Sequence, residues 1–467
     1  MRVIGRNIFS LGFSRIVSGV ILFAVQAKLA AHLGPDGFGK YALVMAFYTI
    51  FLLFIDFGIS RYFIKKVSED KSGTDIYLGN FFIVQFFSSV AIFLLFLFLP
   101  KIFGYEADVT RAMLVTAVGL FLASMSIPFV SLVQADQKIH ILAKVYFLDA
   151  IVKSAWFLLA IFWNKDIVFL FWTLVIVGAS DLVIFALATR SIARPKLSVQ
   201  PRILKQMVLY GISFAMLVGF ETLIAKADVI IQKHFLDYSG VGLYSAAYRF
   251  LDFLTFLPAV VAISLFPHFS GQADIDSEDN RVMSEKIHRF LLAVAIPLGL
   301  GSTILADNII MTFFGRGYEG AVLPFQILIW STAVTLFYAV PNVVMQVKAL
   351  GTAIYILCFS TLFNIAGNII LVPRYGIIAS AWLTVLSYIL VAVLYIMYSQ
   401  RFLRFPLFRS ALWPIVGSTV MGIVLWFARD WNLFLLIGLA IIIYFAIMFA
   451  SGFLKKKDLA FIRSISR

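Results

Sequence analysis

The sequence predicts an all-α integral membrane protein of about fourteen transmembrane helices, with two six-helix lobes built as a parallel repeat and two further C-terminal helices. Three observations carry that prediction. Hydrophobic residues make up 62% of the 467 and charged ones 13%, too little polar surface to clothe a water-soluble chain of this length. The apolar residues fall in runs of about 20 or more, the length that carries a helix across ~30 Å of hydrocarbon, and not in the ~10-residue alternating stretches of a membrane barrel. The chain also repeats itself. On a shift of 203 residues, Leu33, Gly37, Gly39, Tyr41 and Phe47 fall on Leu236, Gly240, Gly242, Tyr244 and Phe250.

Taken in order, the spans run near 8–31, 39–62, 76–99, 110–134, 145–163, 166–188, 205–233, 241–268, 286–314, 320–347, 352–372, 376–400, 410–428 and 432–454. The start, Met1-Arg2-Val3-Ile4-Gly5-Arg6, resembles the positive region of a signal peptide. The apolar stretch after it contains Arg15 and leads straight into further spans, so it reads as a retained first helix. The fifth and sixth spans are separated only by Asn164-Lys165. Outside the spans, 25 Lys and Arg lie at the termini or after even-numbered spans and 6 lie after odd-numbered ones, so both termini are expected in the cytoplasm. That alternation also requires an even number of spans.

The domain reading follows. Residues 1–188 form an N-terminal lobe, 189–204 a basic cytoplasmic linker, 205–400 a C-terminal lobe, and 401–467 the last two spans with a basic cytoplasmic tail. The linker carries Arg190, Arg194, Lys196 and Arg202, and Pro195 and Pro201 disfavour one continuous helix through it. It is expected to rest at the lipid headgroups with its bases toward anionic lipid. Lys455-Lys456-Lys457 reads as a stop-transfer anchor.

Several function classes fall away. The net charge of +14 is distributed by membrane side and not gathered in one patch, which argues against nucleic acid as a partner. The single cysteine, Cys358, lies in an apolar run, and the five histidines show no ligand spacing, so no metal site is expected. Gly34-Pro35-Asp36-Gly37-Phe38-Gly39-Lys40 fits the start of a P-loop, but Tyr41 stands where magnesium needs Ser or Thr, and no strand precedes it. Asp56-Phe57-Gly58 likewise lacks a kinase context. Gly37 and Gly39 read instead as permitting a tight turn or a close helix approach, and Tyr41 as an interfacial aromatic. No loop is large enough for a soluble catalytic domain, so the chain is not read as an enzyme.

Charged side chains deep in spans are costly and therefore candidate sites. They are Arg15, Asp56, Asp149, Lys153, Asp181, Glu221, Lys226, Asp228, Arg249 and Asp252. Glu221 and Asp228 are seven apart on one helix face, with Gln232 four further on, and Arg15 shares a face with Gln26. Arg249–Asp252 and Asp149–Lys153 are spaced to pair. Asp149–Lys153 reads foremost as a structural ion pair, and Asp56, near Arg61, as a structural pair or cap. Lys28 and Lys40 are expected to snorkel. Spans 1, 2, 7 and 8 are repeat-related and should meet at a pseudo-twofold seam, where a cavity would hold Arg15, Glu221, Asp228 and Arg249.

Leu33 to Tyr41, followed by Asp56-Phe57-Gly58-Ile59-Ser60, resembles the start of the polysaccharide-repeat-unit flippases of the multidrug/oligosaccharidyl-lipid/polysaccharide exporter superfamily. Phe256-Leu257-Pro258, Leu265-Phe266-Pro267-His268-Phe269-Ser270 and Gln346-Val347-Lys348-Ala349-Leu350-Gly351 are similar to later parts of that family. The resemblance implies a carrier of the bacterial or archaeal cytoplasmic membrane. It would flip an undecaprenyl-pyrophosphate-linked oligosaccharide to the outer leaflet by alternating access, for surface polysaccharide biosynthesis. Arg15, Arg249, Gln26 and Lys226 would contact the substrate. Glu221 and Asp228 would couple transport to H⁺, Na⁺ or the membrane potential, with no other cofactor. Asp56, Asp149, Lys153 and Asp252 are secondary candidates. Membrane lipid, the lipid-linked glycan, a polysaccharide polymerase and glycosyltransferases are the expected partners. Two alternatives stay open. One is a proton- or sodium-coupled drug exporter of the same superfamily. The other is a membrane sugar polymerase, which the short outer loops disfavour.

Overall fold

Long apolar runs bounded by polar turns leave the backbone one way to satisfy its hydrogen bonds in lipid, and every regular element among the described residues is helical. The computed structural model describes residues 2–453 other than Ala273, Phe408 and Arg409, and for residues 2–16 and Ile263 the backbone alone. The anchor expected at Lys455-Lys456-Lys457 lies outside the described residues. Packing divides the chain into two compact units, Met1–Val241 and Gly242–Arg467. The repeat boundary and the packing boundary therefore differ. The helix after the linker packs on the helices before it and belongs to the first unit.

In the first unit, α1 (Arg2–Asp56) turns sharply at Gly34, whose φ of 66° and ψ of 174° suit only glycine, and Pro35 follows. The turn thus rests on Gly34, and not on Gly37 or Gly39 as expected. Tyr41 is packed inside the bundle. It is 2% exposed, stacked on Phe38 and Phe171, and its hydroxyl accepts from Gln26 Nε2 at 3.4 Å. Lys40 has acidic partners, with Glu106 and Asp108 standing 2.7 and 2.9 Å from its Nζ. The helix then breaks at Phe57 and Gly58, both at positive φ, and α2 (Ile59–Glu69) begins. The expected span 39–62 is therefore two elements. The sequence Asp56-Phe57-Gly58-Ile59-Ser60 is a helix start, since Asp56 accepts from the Ser60 amide at 3.2 Å and the Ser60 hydroxyl at 2.8 Å.

The next helices are α3 (Thr74–Phe103), α4 (Ala107–Ala135), α5 (Ile139–Phe162), α6 (Ile167–Thr189) and α7 (Pro201–Phe235). The short hairpin between α5 and α6 turns on Asn164 at positive φ, and Asp166 caps the Phe169 amide at 3.1 Å. Gly119 and Gly178 let α4 and α6 approach backbone to backbone, so that a Cβ on Gly119 would lie 2.7 Å from that of Leu174.

Across the boundary and through the second unit run α8 (Tyr238–Leu254), α9 (Phe256–Ser270), α10 (Glu278–Ile304), α11 (Ala306–Phe313), α12 (Val322–Phe337), α13 (Ala339–Lys348) and α14 (Leu350–Ser399). Then come α15 (Leu412–Ala428), which packs on α10, and α16 (Leu433–Ala450), which packs on α15, around a core that includes Met421, Leu425, Leu436 and Met448. A second glycine turn, Gly376 at φ 62°, folds α14.

Among the described residues, eleven helices are long and apolar enough to cross a membrane. Two of these, Val17–Asp56 with 40 residues and Leu350–Ser399 with 50, hold the glycine turns. Each is at least twice the ~20 residues one crossing needs. Fourteen crossings would require both to cross twice and the 17-residue α15 to cross as well.

Candidate functional site

The charged and buried polar residues of the spans fall into four local settings. On α7, Glu221 is exposed whereas Asp228 is wholly buried, its Oδ1 accepting the Val229 amide at 2.8 Å. Their seven-residue spacing keeps them on one side of the helix, but Asp228 lies in a run where Ala227 and Val229 are buried as well, whereas the neighbours of Glu221 are only half-buried. Lys226 is half-buried between them. Gln232, one turn beyond Asp228, is also wholly buried, and neither amide atom has a hydrogen-bond partner among the described residues. A buried carboxylate and a buried, unsatisfied amide on one helical stripe form a polar spot that can hold a small cation or a proton.

On α8, Arg249 is 19% exposed and its Nη1 lies 3.6 Å from Asp252 Oδ2, so the i,i+3 pair read from the sequence is present. At that length the pairing orients the guanidinium without a strong hydrogen bond. The α1 candidates divide. Arg15 lies on the described helix, but its side chain is outside the described residues. Gln26 is 8% exposed and turned to Tyr41 across the α1 kink, which gives it a packing role.

A third setting joins α5 and α6. Asp149 is 9% exposed and lies in hydrogen-bonding reach of Asp181, with the Lys153 ammonium acting on both. Tyr48 of α1 stands in the field of the two carboxyls. Spacing alone suggested Asp149–Lys153. The fold adds Asp181, which no local pattern connects to them.

The fourth setting escaped the sequence reading because it carries no charge. Ser360, Asn364 and Asn368 on the first arm of α14 face Ser380, Thr384 and Ser387 on the second, and each is almost wholly buried. Asn368 Nδ2 donates to the Asn364 carbonyl at 2.9 Å, Ser380 Oγ donates to Asn368 Oδ1 at 2.6 Å, and Asn364 Nδ2 donates to Ser387 Oγ at 3.2 Å. Thr384 Oγ1 lies 3.2 Å from the hydroxyl of Tyr244, the repeat partner of Tyr41. The i,i+4 spacing of Asn364 and Asn368 in an apolar run was the available signal.

Residues 29–323, which contain both repeated turns and the α7 and α8 charges, match the family described as polysaccharide biosynthesis protein. The chain belongs to that family. Two curated relatives from Haloferax volcanii share parts of it. The probable flippase AglR is 29% identical over 178 residues, 36% of either chain. The probable low-salt glycan biosynthesis flippase Agl15 is 28% identical over 202 residues, 42% of this chain and 43% of the relative. The chain thus matches well under half the length of either. A solved structure titled lipid II flippase MurJ, in an inward closed conformation, shares the fold across 94% of this chain and 97% of its own, with a TM-score of 0.78 at 17% identity. The apolar helices and the family match together make this family member a multi-pass membrane protein.

Proposed function

We propose that the protein flips an undecaprenyl-pyrophosphate-linked oligosaccharide from the inner to the outer leaflet of the cytoplasmic membrane by alternating access. The observation that carries this reading is the set of charged side chains held in α7 and α8 within the stretch the family shares: exposed Glu221, half-buried Lys226, buried Asp228 and the oriented Arg249. Apolar cargo alone needs no such groups, whereas a sugar diphosphate needs donors and cations wherever it crosses hydrocarbon. Arg249 is the foremost base for the diphosphate, since a guanidinium binds phosphate oxygens as a fork. Lys226 and Arg15 are the further candidate bases. Glu221 and Asp228 take up a proton or Na⁺ to reset the carrier. Movement of negative charge outward gains about 2.3 kcal/mol per charge per 100 mV of inside-negative potential. The name of one relative, a probable low-salt glycan biosynthesis flippase, supports a saccharide cargo. Glycosyltransferases and a polymerase would act before and after it.

The test is flipping of a lipid-linked oligosaccharide by reconstituted protein carrying Arg249→Ala or Arg15→Ala. Each is expected to lower the rate at least tenfold, roughly the 1.4 kcal/mol that one lost charge-assisted hydrogen bond to a phosphate is worth. Full activity in both variants removes the diphosphate role assigned to these arginines.

A further inference from the structure

The segment between α6 and α7 is neither helix nor strand, yet it is tightly seated. It crosses the start of α3 where Gly79 has no side chain, and a Cβ there would lie 1.9 Å from the Lys196 carbonyl oxygen. Asp75 takes the Arg194 amide on its carboxylate at 2.8 Å and the Lys196 amide on its carbonyl at 2.9 Å. Asn80, wholly buried, donates to the Ser198 carbonyl at 2.9 Å and accepts from the Gln200 amide at 2.9 Å. One amide side chain therefore reads both sides of an extended stretch and fixes its register. In such a stretch alternate side chains point opposite ways. Ser198 and Gln200 are partly covered, while Leu197 and Val199 stand 73% and 64% exposed.

Two apolar side chains held outward by a clamp need an occupant, and the surroundings name its chemistry. Arg190, Arg194, Lys196 and Arg202 are all exposed, and no acidic residue occurs from 190 to 205. The segment begins where α6 ends and stops where α7 begins, and both helices are apolar enough to cross a membrane. It thus lies at the level where the spans leave the hydrocarbon. We propose that this segment is a membrane-surface site. Leu197 and Val199 enter the boundary between headgroups and acyl chains, and the flanking bases bind the headgroups of anionic phospholipids. Each base near an anionic surface strengthens such binding about fivefold. The site goes beyond the transport reading and does not rest on it.

Spin labels test the site in the full chain, with its one cysteine removed by Cys358→Ala and a label placed through Leu197→Cys, Val199→Cys or Lys196→Cys. The protein is reconstituted in vesicles of phosphatidylcholine, with and without phosphatidylglycerol. Labels at 197 and 199 should collide several-fold more with oxygen than with a water-soluble nickel chelate, the label at 196 should do the reverse, and phosphatidylglycerol should deepen the first two. Labels at 197 and 199 that stay in water in both vesicles overturn the site and leave the pair to a protein partner. Adding Arg194→Gln and Lys196→Gln should abolish the phosphatidylglycerol effect, and its persistence overturns the headgroup assignment. Asn80→Ala should erase the contrast between 196 and its neighbours, and an unchanged contrast removes the clamp from the account. Each variant's thermal unfolding is recorded first, so that only folded protein is compared.

Discussion

A Cβ on Gly58 would lie 2.3 Å from the Gly211 carbonyl oxygen, and one on Gly211 would lie 2.6 Å from that of Phe57. Gly58 also sits at φ 72°, so an alanine there meets both strain and a backbone obstruction. Gly73 has almost the same dihedrals, φ 74° and ψ 10°, but nothing within 4 Å. Gly73→Ala should therefore cost about 1 kcal/mol and Gly58→Ala about 3 kcal/mol or more, read as unequal losses of melting temperature. Equal losses would mean that α2 and α7 do not cross closely at Gly58 and Gly211. At this scale the sequence was half legible. The Arg249–Asp252 pair follows from helical spacing. The contact of Asp149 with Asp181 and the bond from Gln26 to Tyr41 depend on chain turns that spacing does not encode.

Among the elements, α14 shows how polar residues can hold two apolar arms together. Asn368 is the hinge of its ladder, accepting from Ser380 and donating to Asn364. Asn368→Leu would keep the volume and strand both partners in a dry interior. It should cost about 1–3 kcal/mol, measured as thermal stability in detergent. A variant as stable as the parent would show that the ladder is incidental. The spans were legible as apolar runs because lipid demands them. Their interruptions were less so. The breaks at Phe57-Gly58 and at Thr255 fall inside the spans read as 39–62 and 241–268, and the close approach of α7 gives the first a reason.

For the whole molecule, the repeat foretold two halves, yet the packed units meet at Val241, because α7 closes onto the helices before it. A five-residue identity marks where a turn recurs and carries no information on which neighbour a helix prefers. The charge alternation makes a separate demand, an even number of crossings with both ends inside. A green fluorescent protein fused to the C-terminus should fluoresce, and alkaline phosphatase fused there should be inactive. The reverse pattern would place the C-terminus outside and would overturn the orientation. One turn has a bearing on how such a chain is made. Gly34 and Pro35 bend α1 by their own dihedrals, with nothing within 4 Å of a Cβ at Gly34. A bend written in two adjacent residues does not wait for a partner helix. The first two arms can therefore leave the ribosome and enter the bilayer as a ready-made hairpin, before the segments that later enclose them have been synthesised.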